Sequence, residues 1–397
     1  MLNSKLLGGV LLIVGTSIGG GMLALPVSTA EADLGASIAL MATCWLIMMA
    51  GAFLILEVNL RLPPGSNMVS MAKATCGLPG QVIAWIFYLV LLYALLSSYI
   101  AGGSDVFNGL LQQVNVTLPT GFAAVLFTAL FSVIVYHGIR TVDYVNRGLM
   151  FGKLGVYLLL VVVISPHIHL PSLQTGSSRA VSASLMILIG TFSFASIVPS
   201  LRDYFNDDHR TLRRVIWIGS FIPLICYVIW ILMIRGALQK EDGSQAILIG
   251  LAHSPQALSG LNNALNGIVQ SSWISKFFSF FTSICMVTAF LGVSLGLFDF
   301  LADGLKLNKK GHQGKVILML TFLPPLLIVL VSPGIYLKAF SYAGICCVVL
   351  LLFLPAVMAW RGRQSALMDD VWVMPGGKPA LLTVMIISVF LLYFAWI

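Results

Sequence analysis

Apolar runs long enough to span a bilayer, each closed by charged or turn-forming residues, follow one another along the whole chain. Their limits predict eleven helices, over about residues 5–30, 35–61, 79–104, 120–138, 144–165, 181–203, 212–236, 272–302, 314–331, 335–360 and 379–396. A crossing needs about 20 apolar residues at 1.5 Å of rise each. The runs are continuous rather than alternating, so they read as helices and not as strands of a closed barrel. The expected fold class is all-α: a polytopic membrane protein of 11 transmembrane helices. The first run follows Lys5 and imitates a signal peptide, but no small-residue cleavage site closes it, so it is read as a retained first span.

Two runs are interrupted in the same way. The first span reads Gly15-Thr16-Ser17-Ile18-Gly19-Gly20-Gly21 and continues to Pro26, and the sixth reads Gly190-Thr191-Phe192-Ser193-Phe194-Ala195-Ser196 and continues to Pro199. Each glycine costs a helix about 1 kcal/mol relative to alanine. One such segment alone is equally well a close helix contact with a proline kink. Two of them, five spans apart, mark equivalent helices of an inverted repeat, the arrangement that places a transport site at mid-membrane. The expected organisation is therefore two inverted five-helix repeats (1–170 and 171–361) with broken helices 1 and 6, plus an extra helix in 362–397.

Composition sharpens this picture. Only 9% of the 397 residues are charged and mean hydropathy is +0.99, against about 25% charged in an average soluble domain. A water-soluble enzyme is excluded, and the spans leave no room for a large extramembrane domain. The net charge of +8 would suggest nucleic acid in a soluble protein. Here it sorts by side: with a cytoplasmic N-terminus, only Arg179, Arg235, Lys240, Lys276 and Lys338 of the 22 basic residues fall outside. That asymmetry predicts an inner N-terminus, an outer C-terminus and no nucleic-acid partner. The six cysteines form no C-x-x-C pair, and all but Cys76 lie in apolar runs, so they read as packing residues. His167-Ile168-His169 lacks a third ligand nearby, which argues against zinc, and Asn115-Val116-Thr117 is a glycosylation sequon on the outer side, irrelevant if the source is bacterial. No cofactor is expected.

Several blocks are recognisable: Gly15–Pro26, Leu56-Glu57-Val58-Asn59, Tyr93-Ala94-Leu95 with Tyr99-Ile100, Asn146-Arg147 with Lys153, Val198-Pro199-Ser200, Phe290-Leu291-Gly292-Val293 with Leu295–Asp299, and Thr321-Phe322-Leu323-Pro324-Pro325. With these the chain resembles the bacterial aromatic amino acid permeases, the tryptophan- and tyrosine-specific transporters of the amino acid–polyamine–organocation superfamily, and most of all the tyrosine-specific members. The resemblance implies two inverted five-helix repeats around one substrate site, and proton-driven uptake of tyrosine or a related amino acid across a bacterial inner membrane. At one position the chain departs from the family. Members commonly carry His directly after the Phe-Gly-Phe/Tyr of helix six, where this chain has Ala195, and His209 lies too far along to replace it.

The chemistry of an amino acid substrate assigns the candidates. Its carboxylate suits N–H groups freed at a half-helix start, expected from the backbone of Ser17, Ile18, Gly19, Gly20 and Gly21. Its ammonium suits freed carbonyls and the hydroxyls of Thr16 or Ser196, unless those hydroxyls bond back to their own helix. Phe192, Phe194 and Tyr93, with Ala195, are candidates to line an aromatic pocket, although most aromatics in so apolar a chain simply pack. Lys153 stands about 10 Å into the fifth span, seven residues beyond Asn146. An ionisable group at that depth is either functional or snorkels to the headgroups. The resemblance implies that it occupies the place of the ion in sodium-coupled relatives and carries the proton. Glu57 and Asp299 are candidates for the proton path, or else partners of Arg61 and Lys306.

Rival functions have less to build on. A membrane-embedded enzyme would need a nucleophile–base set within the spans, yet all six histidines fall at span ends or in loops. A channel or uncoupled facilitator would not concentrate its substrate. Sodium coupling stays open through Thr282, Ser283, Thr288 and Ser294 of the eighth span.

Overall fold

The computed structural model describes residues 2–113, 115–116, 118–119, 121–168, 182–238, 244–269, 272–364 and 372–396, and among these all regular structure is helical. The expected boundary between halves at 170/171 and the residues Thr117, His169, Arg179 and Lys240 lie outside the described residues. Among the described residues nine helices are long and apolar enough to cross a membrane, or ten if the bent pair at the N-terminus is one span, and Phe122–Tyr136 is a shorter apolar helix.

The first span is α1 (Leu2–Ser17) and α2 (Gly20–Ser28), bent by 50° at the break. α3 (Leu34–Leu60) starts where Asp33 accepts the Ala36 N–H at 2.7 Å, a side-chain cap on the otherwise unpaired first turn. α4 (Met68–Gln113) begins eleven residues before the expected residue 79 and bends at Gly77, whose φ of 70° favours glycine. The polar stretch Lys73–Cys76 and the Gly77–Pro79 turn disguise this first segment in the sequence. α5 (Phe122–Tyr136) and α6 (Ile139–Ile164) follow.

The sixth apolar segment is divided into α7 (Ser182–Thr191), a 3-10 turn over Ser193–Ile197 and α8 (Val198–Phe205). α9 (His209–Leu238) is capped by Asp208, which accepts the Arg210 and Thr211 N–H groups and the Thr211 hydroxyl. Those bonds hold its exposed carboxyl below the usual carboxylate range. Two helices not expected from the sequence, α10 (Ser244–Ala252) and α11 (Ala257–Val269), precede α12 (Ser272–Leu305). α13 (Gly311–Val331) is followed by α14 (Tyr336–Cys347), which runs through a π-helical turn over Val348–Phe353 into α15 (Leu354–Gly362); α16 (Gly377–Trp396) closes the chain.

α1 and α2 lie at the centre, with α9, α7, α12 and α14 against them, while α4 packs on α14, α12, α13 and α5. Helix association in lipid relies on close packing and buried hydrogen bonds, because apolar surface gains little by leaving a hydrocarbon solvent. Both features are present. Gly344 of α14 lies so close to the Met186 carbonyl of α7 that a Cβ there would overlap it. Trp230 stacks on Phe278 with centroids 5.7 Å apart, and Trp45 Nε1 donates to Ser220 Oγ at 3.1 Å.

Candidate functional site

The break between α1 and α2 gathers donors from three other helices. Lys153 Nζ (α6) donates to the carbonyls of Gly15 at 3.2 Å and Ile18 at 2.5 Å. Tyr227 (α9) donates its hydroxyl to the Ser17 carbonyl at 2.7 Å and lies 3.3 Å from the Thr191 carbonyl at the end of α7. Tyr336 (α14) donates to the Gly20 carbonyl at 2.7 Å, and its own carbonyl accepts Ser98 Oγ of α4 at 2.8 Å. A helix that stops in mid-span leaves carbonyls and N–H groups unpaired, and in a low-dielectric interior each needs a partner. Four of the carbonyls expected for a substrate ammonium are thus occupied by the protein itself. Lys153 is 2% exposed and its ammonium faces the break rather than snorkelling outward.

The glycines of the break are not equivalent. A Cβ on Gly20 would stand 2.5 Å from the Tyr99 ring, and one on Gly21 would stand 2.8 Å from Phe340 and 3.0 Å from Thr191 Oγ1. One on Gly19 would meet only Ala289, at an ordinary 3.7 Å. Gly20 and Gly21 therefore bring the first turn of α2 against aromatic rings of α4 and α14. The start of that turn leaves N–H groups beyond the reach of intrahelical bonds. Beside it, the hydroxyl of Ser17 is buried with no hydrogen-bond partner among the described residues. A buried unpaired hydroxyl in a native site calls for a ligand or an ordered water.

The expected side chains divide in two. Phe192, Phe194 and Ala195 are buried beside the second break, and Phe192 packs 5.2 Å from Tyr227. Thr16 and Ser196 are exposed and bond back to their own helices, Thr16 to the Leu12 and Ile13 carbonyls and Ser196 to that of Ser193. Tyr93 points elsewhere: its hydroxyl donates to the Leu320 carbonyl of α13 at 2.7 Å, and Tyr99, six residues on, is the tyrosine of α4 that meets Gly20. Glu57, fully buried, accepts Arg363 Nε and Nη2 at 2.8 and 2.7 Å, Arg61 at 3.4 Å and the Met374 N–H at 2.9 Å. Asp299 pairs at 2.8 Å with Lys309, not Lys306, on the surface. None of these partners belongs to either break. The hydroxyls of Thr282, Ser283, Thr288 and Ser294 all donate to carbonyls of α12 itself. Among the described residues no group of three or more His, Cys, Asp or Glu could hold a metal.

Tyr227, Tyr336 and Phe340 were not singled out in the sequence, and Tyr99 only as part of a recognisable block, not as a site residue. Their common signal is a phenol or ring deep inside an apolar span, where a hydroxyl must find a buried acceptor. Farther along α4, Asp105 accepts the N–H groups of Leu258 and Ser259 at 2.9 and 3.1 Å and the Ser259 hydroxyl, capping α11 from another helix. A polar cavity of about 210 Å³ lies beside that cap, lined by Gln112, Asn262 and Ser279 among others.

A family profile described as the tryptophan/tyrosine permease family covers residues 2–395. The chain is 33% identical over 376 residues to the Tyrosine-specific transport system 2 of Haemophilus influenzae, covering 91% of this chain and 89% of that protein. It is 29% identical to the Tryptophan-specific transport protein of Pseudomonas aeruginosa, over 97% of this chain and 93% of the relative. It is 28% identical to the Glutamine transporter 2 of Aliivibrio fischeri, over 96% of each.

Proposed function

The chain belongs to the tryptophan/tyrosine permease family, and from that premise we propose that it is a proton-coupled symporter carrying an aromatic amino acid, tyrosine foremost, into the bacterial cytoplasm by alternating access. In this reading the chain crosses the inner membrane eleven times, N-terminus inside and C-terminus outside, as two inverted five-helix repeats and an extra helix. The two interrupted segments are the first helices of the two repeats, and the substrate sits between them.

The observation that carries the reading is the start of α2. A buried hydroxyl on Ser17 without a partner among the described residues, together with the N–H groups that the first turn of α2 leaves without intrahelical acceptors, suits a carboxylate. Tyr99 and Phe340 set rings against Gly20 and Gly21, and Phe192 packs on Tyr227, which bonds the Ser17 carbonyl; rings there suit an aromatic side chain. With the break carbonyls taken, the ammonium is left to the carbonyls of the 3-10 turn after α7. Lys153 supports proton coupling. Its ammonium bridges Gly15 and Ile18 from α6, where a bound cation would otherwise satisfy the same two carbonyls. A proton leaving Lys153 removes the charge that holds α6 to the break and so couples protonation to the position of α1. Glu57 and Asp299, each engaged with arginine or lysine elsewhere, are outside this step.

One observation favours a second substrate. Ala195 supplies neither a ring nor a side-chain hydrogen bond where the family resemblance implies histidine, and a relative is named for glutamine. A single assay decides: uptake of labelled tyrosine into proteoliposomes, competed with tryptophan, phenylalanine and glutamine. Competition by the aromatic amino acids is expected, and competition by glutamine alone overturns the aromatic reading. In the same vesicles Lys153→Gln is expected to abolish the response of uptake to an imposed pH gradient. An unchanged response removes Lys153 from coupling, and a requirement for sodium over choline replaces proton with sodium.

A further inference from the structure

The transport reading leaves the buried Glu57–Arg363 pair without a role, and what the pair holds is a piece of backbone. Met374 donates its N–H to Glu57 Oε2 at 2.9 Å, and its carbonyl accepts Arg363 Nη2 at 3.3 Å. A buried ion pair persists only where its remaining hydrogen-bonding capacity is used, and the 372–374 segment uses it. This fixes the segment between α3 and the start of α16. There Met374 joins Leu46, Ile47 and Ala50 of α3 and Ala380 to Ile387 of α16 around an apolar groove of about 310 Å³. The groove opens beside Leu46, which is 55% exposed, so it faces the lipid.

The end of the groove at Met374 is basic. Trp372 packs on Phe53, one turn of α3 from Ala50, with centroids 5.8 Å apart, and the Arg213 guanidinium lies 4.9 Å over the Trp372 ring. Lys378, two residues before Ala380, lies 5.8 Å over Trp360. Both cations are exposed, and among the described residues neither pairs with a carboxylate. An indole face orients a cation without neutralising it. A lipid-facing apolar groove thus ends at two positive charges held on aromatic rings.

We propose that this face binds a phospholipid with an anionic headgroup, its acyl chain in the α3–α16 groove and its phosphate between Arg213 and Lys378. Hydrocarbon contact alone would accept any phospholipid. The two cations add a preference for net negative charge, worth about fivefold for each basic residue at a membrane surface. The site depends neither on the transport reading nor on which leaflet it faces.

The test uses the full purified chain in detergent, with lipid adducts counted by native mass spectrometry for phosphatidylglycerol and phosphatidylcholine of matched chains. Wild type is expected to prefer phosphatidylglycerol by roughly 25-fold, the product of the two basic contributions. Arg213→Gln with Lys378→Gln is expected to bring that ratio near one. Arg210→Gln with Arg214→Gln, exposed neighbours outside the groove, is expected to keep it. Ala50→Phe, which fills the groove, is expected to reduce both lipids alike. Equal binding of the two lipids by wild type overturns the proposal. So does a preference that survives the Arg213 and Lys378 changes, falls as much with the control pair, or is accompanied by undiminished binding to Ala50→Phe.

Discussion

The two interruptions of the bundle look alike in sequence and are held in opposite ways. At the α1–α2 break the backbone is anchored by polar reach: Lys153, Tyr227 and Tyr336 cross from three helices to four carbonyls. At the second interruption the anchors are packing and local bonds. Gly344 admits α14 against the Met186 carbonyl of α7, Gly190 lies against Phe340, and Ser196 turns back on Ser193. Two side chains touch both: Tyr227 hydrogen-bonds the Ser17 and Thr191 carbonyls, and Phe340 packs on Gly21 and Gly190. A break held by long side chains can exchange its partners when a proton or a ligand arrives, because packed cores are bistable while side-chain bonds are replaceable one at a time. A break held by backbone contact moves only as a body with its neighbour. Substitutions at the two should therefore act through different quantities, sterics at one and unpaired carbonyls at the other.

The largest effect is expected at the packed side. Gly344→Ala forces a Cβ into the Met186 carbonyl, an obstacle that is backbone and cannot rotate away. Overpacking of this kind costs about 3 kcal/mol, read as a lower unfolding temperature in detergent. A stability equal to wild type would mean that α7 and α14 are less closely packed than described. Tyr227→Phe comes next. It keeps the ring against Phe192 but leaves the Ser17 and Thr191 carbonyls without their donor, at about 2 kcal/mol. Uptake should fall together with stability, since both breaks lose a shared support. A loss of stability with full uptake would confine Tyr227 to structure.

Little of this contrast was legible from the residues alone, although the helices themselves were. Ten of the eleven expected segments begin within a few residues of their helices, because lipid forces the backbone to bond within each span. α10 and α11 were hidden by length and polarity: nine and thirteen residues, the second carrying Asn262, Asn263 and Asn266. The identity of Tyr99 rather than Tyr93 at the break was hidden by helix geometry. Six residues on a helix turn to faces about 120° apart, and uniformly apolar spans give no polar face by which to choose. Lys153 was visible as an isolated charge, but its acceptors lie 138 and 135 residues away in sequence and follow only from the fold.

Tyr336→Phe isolates one polar anchor, since only the Gly20 carbonyl loses its donor and the ring still fills the space beside Gly102. The expected cost is about 1 kcal/mol, half that of Tyr227→Phe because one acceptor is involved rather than two. If Tyr336→Phe costs as much as Tyr227→Phe, bridging two breaks adds nothing and the distinction drawn for Tyr227 fails.

The smallest effects are expected at Thr16 and Ser196, exposed hydroxyls beside the first interruption and within the second. Each is exposed and donates within its own turn, to acceptors that the helix already supplies with N–H partners or leaves open to solvent. Side chains bonded in this way contribute little or slightly destabilise a helix, so Thr16→Val and Ser196→Ala should each change stability by under about 0.5 kcal/mol. Ser17→Ala is the informative neighbour. Among the described residues its hydroxyl has no partner to lose, so the folded state should be unharmed or slightly favoured, while the concentration for half-maximal uptake should rise about tenfold if that hydroxyl meets the substrate. An unchanged half-maximal concentration in Ser17→Ala, alongside unchanged values for Thr16→Val and Ser196→Ala, would leave the first break with a binding role through its backbone alone.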